Sequence, residues 1–255
     1  MNLPPLVGGT LLCRYQRFLA DIRLDGGDTV TAHCANTGAM LGLKQPGYRV
    51  WLSRADNPKR KLAWTWELVE PAPGVLCGIH TGRANALVLE ALEAGLLPEL
   101  SGYREVRREA PLGTNSRSDL RLDYGDGVCH VEVKSVTAAG QDGIGYFPDA
   151  VSSRAVKHLR ELAARVALGE RAAVVFCAQR PDIAEARPAR HIDPVFAAAL
   201  AQAADQGVEL YALGARVSPE AIVLERRLRV DIADMNTPVL AGLCKPDRKS
   251  PGQPA

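Results

Sequence analysis

The sequence contains no stretch of about 18 uncharged apolar residues, the length that a membrane-spanning helix needs. Residues 1–10 also lack the basic start and the apolar core that mark a secretory signal. The sequence therefore predicts a soluble protein of the cytoplasm with no membrane partner.

Cysteines are few and widely separated, which excludes several kinds of site. No two of them have the Cys-x-x-Cys spacing of a zinc site or a redox pair, since they occupy positions 13, 34, 77, 129, 177 and 244. A glycine-rich phosphate loop, a dinucleotide fingerprint and an internal repeat are missing too. The lack of a phosphate loop and of a dinucleotide fingerprint disfavours a metal enzyme for small phosphorylated or sugar-derived substrates, which stays an alternative.

Charge is present but nearly balanced. A net charge of +2 over 255 residues is too small to identify a polyanion partner. Residues 1–70 nevertheless hold nine Lys or Arg against six Asp or Glu, a local excess of three positive charges. An apolar content of 47% suffices for a buried core in one large domain or two small ones.

The segment 1–80 alternates short apolar runs with turn residues, which predicts an all-β module. Asp25-Gly26-Gly27 supplies the positive φ angles of a tight hairpin. Every second position of the last run is apolar, so these side chains are expected to share one face: Leu62, Trp64, Trp66 and Leu68. Strands are expected at 18–24, 28–34, 48–53 and 62–69. About five short strands in this length predict a small barrel of the oligonucleotide-binding (OB) type.

From residue 81 the apolar period changes and helices alternate with strands, which predicts an α/β domain over residues 81–235. Its first helix, at 81–95, has a Thr cap at its start and Gly95 at its end. The other elements expected are strands at 103–109, 118–124, 128–136, 172–178, 208–213 and 221–230 and helices at 150–168 and 194–206. Asp149 is expected to cap the helix at 150–168. Residues 236–255 are expected to form a loose tail.

Three charged residues stand out on the two strands between 118 and 136. Glu132 and Lys134 are two positions apart and point to one face, whereas the valines beside them point into the core. A short turn between the strands brings Asp119 near this pair. An unpaired charge on a core strand costs several kcal/mol, as an order of magnitude, unless a ligand or partner compensates it.

Two carboxylates and a backbone carbonyl suit Mg2+ (or Mn2+), which prefers oxygen ligands and retains several waters. The expected ligands are Asp119, Glu132 and the carbonyl of Val133, and Lys134 is placed to orient or deprotonate a water. A metal there would stabilise the charge on a phosphate under attack. The constellation predicts phosphodiester hydrolysis, with a structural ion-pair network as the alternative.

The order Asp…Glu-x-Lys, between a leading and a trailing helix, resembles the core of the PD-(D/E)xK nuclease fold. That resemblance makes Glu90 of the leading helix a further metal-oriented acid, although a solvated helix face explains this residue equally. Arg117 either offers a planar fork to a phosphate or pairs with Asp119. The trailing helix offers three groups that could meet a phosphate or serve as ordinary surface residues: Arg154, Lys157 and His158.

Basic residues of the N-terminal module are candidate contacts for a DNA backbone. Three of them follow Asn57-Pro58 in an expected barrel loop, where they serve as phosphate ligands or as a solvated turn: Lys59, Arg60 and Lys61. Arg14 and Arg17 are the other candidates. The segment Asn36-Thr37-Gly38 favours a turn, with phosphate binding as the alternative.

Several segments together resemble the sugar fermentation stimulation protein A family of bacteria and archaea, over about residues 8–230. They are residues 13–21, 33–40, 57–61, 65–69, 131–137, 147–151 and 157–162. The resemblance implies an N-terminal OB-like small β-barrel followed by a PD-(D/E)xK restriction-endonuclease-like α/β domain. It also implies a DNA-binding protein linked to the control of sugar use, of maltose in particular. Departures at Ala39, Leu120 and Ala155-Val156 leave the acid and lysine core intact.

The resulting hypothesis is a barrel that grips DNA without strong sequence preference, joined to a domain that cuts it with Mg2+ or Mn2+. The alternative is a non-cleaving DNA-binding regulator of sugar metabolism that keeps only the nuclease scaffold. The sequence leaves open whether cutting is exo- or endonucleolytic and whether the chain forms a homodimer.

Overall fold

The computed structural model of the chain describes residues 1–233 except 58, 114 and 141. The predicted tail at 236–255 lies outside the described residues. Within them, the N-terminal part forms a six-stranded antiparallel sheet in the order β3-β2-β1-β4-β5-β6, and a parallel pairing of β3 with β5 closes it into a barrel. Its strands are β1 (Leu6–Tyr15), β2 (Leu19–Leu24), β3 (Thr29–Cys34), β4 (Arg49–Arg54), β5 (Trp64–Ala72) and β6 (Val75–Gly78).

The inside of the barrel is filled by alternate side chains of its strands, among them Ile22, Leu52 and Trp66, which are all fully buried. The expected common face of the last run was wrong for Leu68, which packs into the core of the second domain. An extra residue in β5, Glu67, lies between the ladder pairs Leu52↔Trp66 and Trp51↔Leu68. Such a bulge shifts the following side chains to the other face of the strand.

The second part of the described chain holds three α-helices and a nine-stranded mixed sheet in the order β10-β11-β13-β15-β14-β12-β9-β8-β7. The helices are α1 (Ala84–Glu93), α2 (Ser153–Ala167) and α3 (Pro194–Asp205). The first strands are β7 (Glu105–Gly113), β8 (Ser116–Asp123), β9 (Val128–Val136), β10 (Ala138–Ala139) and β11 (Ile144–Phe147). The later strands are β12 (Arg171–Ala178), β13 (Glu185–Pro188), β14 (Glu209–Val217) and β15 (Ile222–Val230).

The sheet of the second domain is covered by helices on both faces, which explains why its strand β12 is apolar at nearly every position. In β12, Val175 and Cys177 join the core beneath α1, whereas Val174 and Phe176 join the core beneath α2 and α3. The period of two along the strand therefore supplies both layers at once.

Two expected helix starts differ from the observed ones. Thr81 does not cap α1, because its hydroxyl donates to the Ala35 carbonyl (3.0 Å) and a short 3-10 turn precedes the helix. The helix α2 is capped by Ser152, whose hydroxyl accepts from the Ala155 amide (3.2 Å). Asp149, expected as that cap, instead accepts from the amide of Met40 in the barrel (2.8 Å).

The barrel and the second domain are joined by backbone hydrogen bonds. The amide of Gly78, at the end of the barrel, donates to the carbonyl of Gln179 (2.8 Å). The amide of Leu3 donates to the carbonyl of Glu220 (2.7 Å), beside the antiparallel bridge between Asn2 and Ala221. These bonds fix the N-terminal segment and the end of β6 against the second domain. In the part of the chain that the structure describes, no helix is long and apolar enough to cross a membrane.

We expect Leu162→Ala to lower the free energy of unfolding by about 2–5 kcal/mol, because the buried leucine packs α2 onto the sheet and alanine leaves a cavity. Leu168→Ala, at the exposed end of the same helix, is the matched control and should change this free energy little. Urea unfolding followed by far-ultraviolet circular dichroism measures both. Equal effects of the two substitutions would contradict this packing.

Candidate metal centre

The neighbouring strands β8 and β9 place the two predicted acids side by side. They are antiparallel, and the last ladder pair at this end is Leu120 opposite Val131, both fully buried. The next residue along each strand is Asp119 and Glu132. The apolar pair fixes the register through burial, and the register in turn sets the acids next to each other.

Asp119 is held by two hydrogen bonds at the point where the ladder ends. Its Oδ2 accepts from the backbone amide of Val133 (2.7 Å), and its Oδ1 accepts from Nδ2 of Asn85 on α1 (2.8 Å). Burial raises the pKa of the Asp119 carboxyl, and the negative charge of Glu132 raises it further. The site therefore disfavours two unshielded negative charges.

Glu132 is almost completely buried, with 4% of its surface exposed. Its Oε1 lies 2.5 Å from Nζ of Lys134 and 2.6 Å from Nδ1 of His158 on α2. Burial by itself raises the pKa of Glu132, but the hydrogen bonds from His158 and Lys134 and the charge of Lys134 outweigh it, so the pKa lies below its usual range. This carboxyl is therefore ionised at neutral pH.

The second oxygen of Glu132, Oε2, is buried and accepts no hydrogen bond from any of the described residues. Leaving a buried charged oxygen without a partner costs about 1–3 kcal/mol or more. A divalent cation bound by oxygen ligands satisfies such an oxygen and also relieves the repulsion between Glu132 and Asp119. The residues present therefore fit Mg2+ or Mn2+.

The carbonyl of Val133 is suited to be a third oxygen ligand. In an antiparallel ladder the amide and the carbonyl of one residue point to the same neighbouring strand. The amide of Val133 points to Asp119, so its carbonyl is directed to the same edge, beyond the last ladder pair. In the described ranges, no three His, Cys, Asp or Glu side chains gather as a metal-binding group, so further ligands would come from the backbone and water.

Glu90, predicted as an additional acid, does not reach this site. Its carboxylate pairs with the amino group of Met1 (2.6 Å) and is half exposed. The helix α1 brings Asn85 to the site instead. The two positions are five residues apart and therefore lie on different faces of a helix with 3.6 residues per turn.

A second group of predicted residues lines an open groove of ≈ 680 Å³ between the β7–β8 hairpin and the start of α2. We call it the basic groove, and the residues that define it are Glu109, Pro111, Gly113, Asn115, Ser116, Arg117, Arg154, Lys157 and His158. Asp119 takes its hydrogen bonds from Asn85 and Val133, and the alternative considered for Arg117, a pairing with Asp119, is not formed among the described residues. Lys157 lies 3.7 Å from Glu161, one helical turn later.

His158 differs from its expected role, because its side chain is 5% exposed and its Nδ1 contacts Glu132. It therefore connects the basic groove to the acid pair. Nothing in the sequence signalled this contact, because it depends on how α2 is rotated against the sheet.

The candidate cations of the barrel do not contact the acid pair. Arg14 donates to the carbonyls of Asn36 (2.8 Å) and Gly38 (3.0 Å), and Arg17 donates to the carbonyl of Thr37 (2.9 Å). Both arginines thus brace one barrel loop. The remaining three lie exposed in the connection between β4 and β5: Lys59, Arg60 and Lys61.

The described chain combines a closed OB-like barrel with a mixed sheet between helices. Asp119, Glu132 and Lys134 are grouped on strands of this sheet. Together these features define a protein of the nuclease-like α/β class. Family models match the chain as the SfsA N-terminal OB domain at residues 12–79 and as the sugar fermentation stimulation protein RE domain at residues 82–221. The chain belongs to the sugar fermentation stimulation protein family. The fold class and the family predicted from sequence are thereby confirmed.

Relatives named sugar fermentation stimulation protein homolog span nearly the same length. The one from Alkalilimnicola ehrlichii is 57% identical over 230 residues, which cover 89% of this chain and 97% of the relative. The one from Thioalkalivibrio sulfidiphilus is 53% identical over 231 residues, which cover 90% and 97%. A solved structure of Pyrococcus furiosus SfsA in complex with Ca2+ is 29% identical, has a TM-score of 0.82, and covers 91% of this chain and 98% of that one.

We expect His158→Ala to weaken the binding of Mn2+ by about 10–100-fold, because residues that hold a ligand in place contribute to metal affinity. Isothermal titration calorimetry of the purified protein measures the affinity. Arg160→Ala, an exposed position on the same helix, is the matched control and should bind Mn2+ like the unmodified protein. If both variants bind Mn2+ equally well, His158 does not orient a metal ligand.

Proposed function

We propose that the protein is a divalent-metal-dependent phosphodiesterase that acts on DNA. The observation that carries the proposal is the buried, unpartnered Oε2 of Glu132 beside Asp119 and within the reach of Lys134. The Pyrococcus furiosus relative, whose structure is described as a complex with Ca2+, supports a divalent-cation site in this fold. Mg2+ or Mn2+ would serve in cleavage, because both share with Ca2+ the preference for oxygen ligands.

Asp119, Glu132 and the carbonyl of Val133 would hold the cation. When bound, it supplies Lewis acidity, which stabilises charge on a phosphate and lowers the pKa of a nearby water. Lys134 is 9% exposed and donates to Oε1 of Glu132. From this position its ammonium group orients a water and adds positive charge beside the phosphate. His158 keeps Oε1 occupied, so that Oε2 is the oxygen left for binding.

The basic groove supplies a path for the DNA backbone to this site. Arg117 and Arg154 are exposed along it, and His158 connects its wall to Glu132. Guanidinium groups bind phosphate oxygens in a bidentate geometry without reading bases. This arrangement favours DNA binding without strong sequence preference.

A non-cleaving DNA-binding regulator is the second candidate. It is favoured by the short bond between Lys134 and Glu132, which occupies the amine in a structural ion pair. In that case DNA retention is independent of the metal and of Lys134. The two candidates therefore differ in a direct assay of cleavage.

We expect the protein to cut DNA in the presence of Mg2+ or Mn2+, and Lys134→Ala to reduce the rate by about a hundredfold or more, because a positioned proton-transfer group contributes that much. Lys44→Ala in the barrel is the matched control and should cut normally. Gel electrophoresis of end-labelled DNA over time measures the rate. If the unmodified protein cuts no DNA with either metal, the phosphodiesterase proposal fails.

We also expect Arg117→Ala and Arg154→Ala each to weaken DNA retention and to lower the slope of log affinity against log salt by about one, because each removes a phosphate contact. Fluorescence anisotropy with labelled DNA at several salt concentrations measures both quantities. Arg216→Ala, an exposed arginine paired with Glu225, is the control. An unchanged slope in the groove variants would show that DNA follows another path.

A further inference from the structure

A second cavity, of ≈ 240 Å³, lies between the barrel and the acid pair. We call it the junction pocket and define it by one barrel loop, Asn36 to Gly38, together with Asn85, Lys134, Ser135, Tyr146 and Phe147. It shares no lining residue with the basic groove. The two cavities therefore approach the acid pair through different side chains.

The junction pocket is in contact with the candidate metal centre. Asn85 lines the pocket and donates to Oδ1 of Asp119, and Val133 lines it and donates to Oδ2 of the same carboxylate. Lys134 lines it as well and bonds to Glu132. A phosphate at the acids would therefore lie at the mouth of this pocket, with the basic groove reached through His158.

The barrel loop that bounds the pocket is held rigidly. The carboxamide of Asn36 accepts from the Gly38 amide (2.8 Å), and Arg14 donates to the carbonyls of both residues. On the other side of the loop, Asp149 accepts from the amide of Met40. A Cβ added to Gly38 would lie 2.6 Å from both oxygens of Asp149, so glycine allows this close approach without a shift of that side chain. The pocket wall is thus formed before any ligand binds.

The lining suits a nucleoside rather than a phosphate. Hydroxyl and carboxamide groups of Thr37, Asn85 and Ser135 can exchange hydrogen bonds with a base or a sugar, and the rings of Tyr146 and Phe147 supply an apolar wall. Lys134 is the one cation among the described lining residues, and it lies on the side of the pocket that faces the acids. Positive charge for binding phosphates lies instead in the basic groove.

Size limits how much of a strand the pocket can take. Its ≈ 240 Å³ is below the roughly 300–1,000 Å³ of pockets for drug-sized ligands. The basic groove, at ≈ 680 Å³, is much larger. The volume of the junction pocket therefore suits one nucleoside rather than a run of several nucleotides.

We infer that the junction pocket receives the terminal nucleoside of a DNA strand whose backbone lies in the basic groove, so that the protein removes mononucleotides from an end. The inference rests on the proposed phosphodiesterase function. In the reaction, the oxygen of water bonds to the terminal phosphodiester phosphorus while one phosphorus–oxygen ester bond breaks. The departing oxygen takes up a proton, and one mononucleotide and a shortened strand result.

The first test compares a linear single-stranded oligonucleotide with its ligated circle of identical sequence, in the presence of Mn2+. We expect the linear strand to be degraded to mononucleotides and the circle to be cut at least about tenfold more slowly, because a circle offers no end to the pocket. Chromatography of the products identifies their length. Equal cutting of the circle would overturn the inference and leave the phosphodiesterase proposal in place.

The second test fills the pocket with Thr37→Trp, and Thr29→Trp on an exposed part of β3 is the matched control. We expect only Thr37→Trp to slow cutting of the linear strand and to weaken the binding of deoxyadenosine monophosphate, measured by calorimetry with Ca2+, each by about tenfold or more. Calorimetry with Ca2+ alone should give the same affinity for both variants, which separates the pocket from the metal centre.

The binding measurement tests the nucleoside site even if the unmodified protein cuts no DNA. In that event the phosphodiesterase proposal and the release of mononucleotides both fail. Weaker nucleotide binding in Thr37→Trp but not in Thr29→Trp would still support a nucleoside site at the junction. Absence of nucleotide binding, or equal binding by the two variants, would overturn that site.

Discussion

The site depends on one buried carboxylate, that of Glu132 on β9, the third strand from one edge of the nine-stranded sheet. Its charge is tolerated there because Lys134 from the same strand and His158 from α2 both bond to Oε1. Burying an ion is costly unless its oxygens have partners, and Oε2 of Glu132 has no hydrogen-bond partner among the described residues. A positive charge at Oε2 would offset this cost. This oxygen distinguishes the site from a fully satisfied ion-pair network, and the strand register places a second carboxylate, that of Asp119, next to it.

The sequence was sufficient for the parts of this arrangement that are local. Glu132 and Lys134 share a face because side chains alternate along a strand, and Asp119 lies beside them because a short turn and an apolar pair fix the register. The roles of Asn85 and His158 could not be predicted, because each depends on how a helix is rotated against the sheet. The role predicted for Glu90 is not observed for the same reason, because the sequence did not show which face of α1 the sheet covers.

Fold prediction had a similar limit. Long strands such as β9 and β12 were located from their apolar runs, and the barrel from its short alternating runs and turns. Strands of two to four residues, β6, β10, β11 and β13, were missed, because so few positions establish no period. The ten-residue strand β1 was also not among the predicted strands. Asp149 was assigned to a helix cap from its local context, whereas its partner, the amide of Met40, lies 109 residues earlier in the chain. Contacts between domains leave no local pattern in the sequence.

The barrel contributes to the site by position rather than by charge. Arg14 and Arg17 donate hydrogen bonds to carbonyls of the loop from Asn36 to Gly38. Asp149 of the second domain accepts from the amide of Met40, just after that loop. A wall built from two domains keeps its shape only if the domains do not move apart, and the bond from Gly78 to Gln179 and the pairing of Asn2 with Ala221 provide that restraint. Preorganised groups need no reordering when a ligand binds, so the entropy cost of binding falls. Arg14 and Arg17, which the sequence suggested as DNA contacts, thus help to give the second domain a fixed second wall.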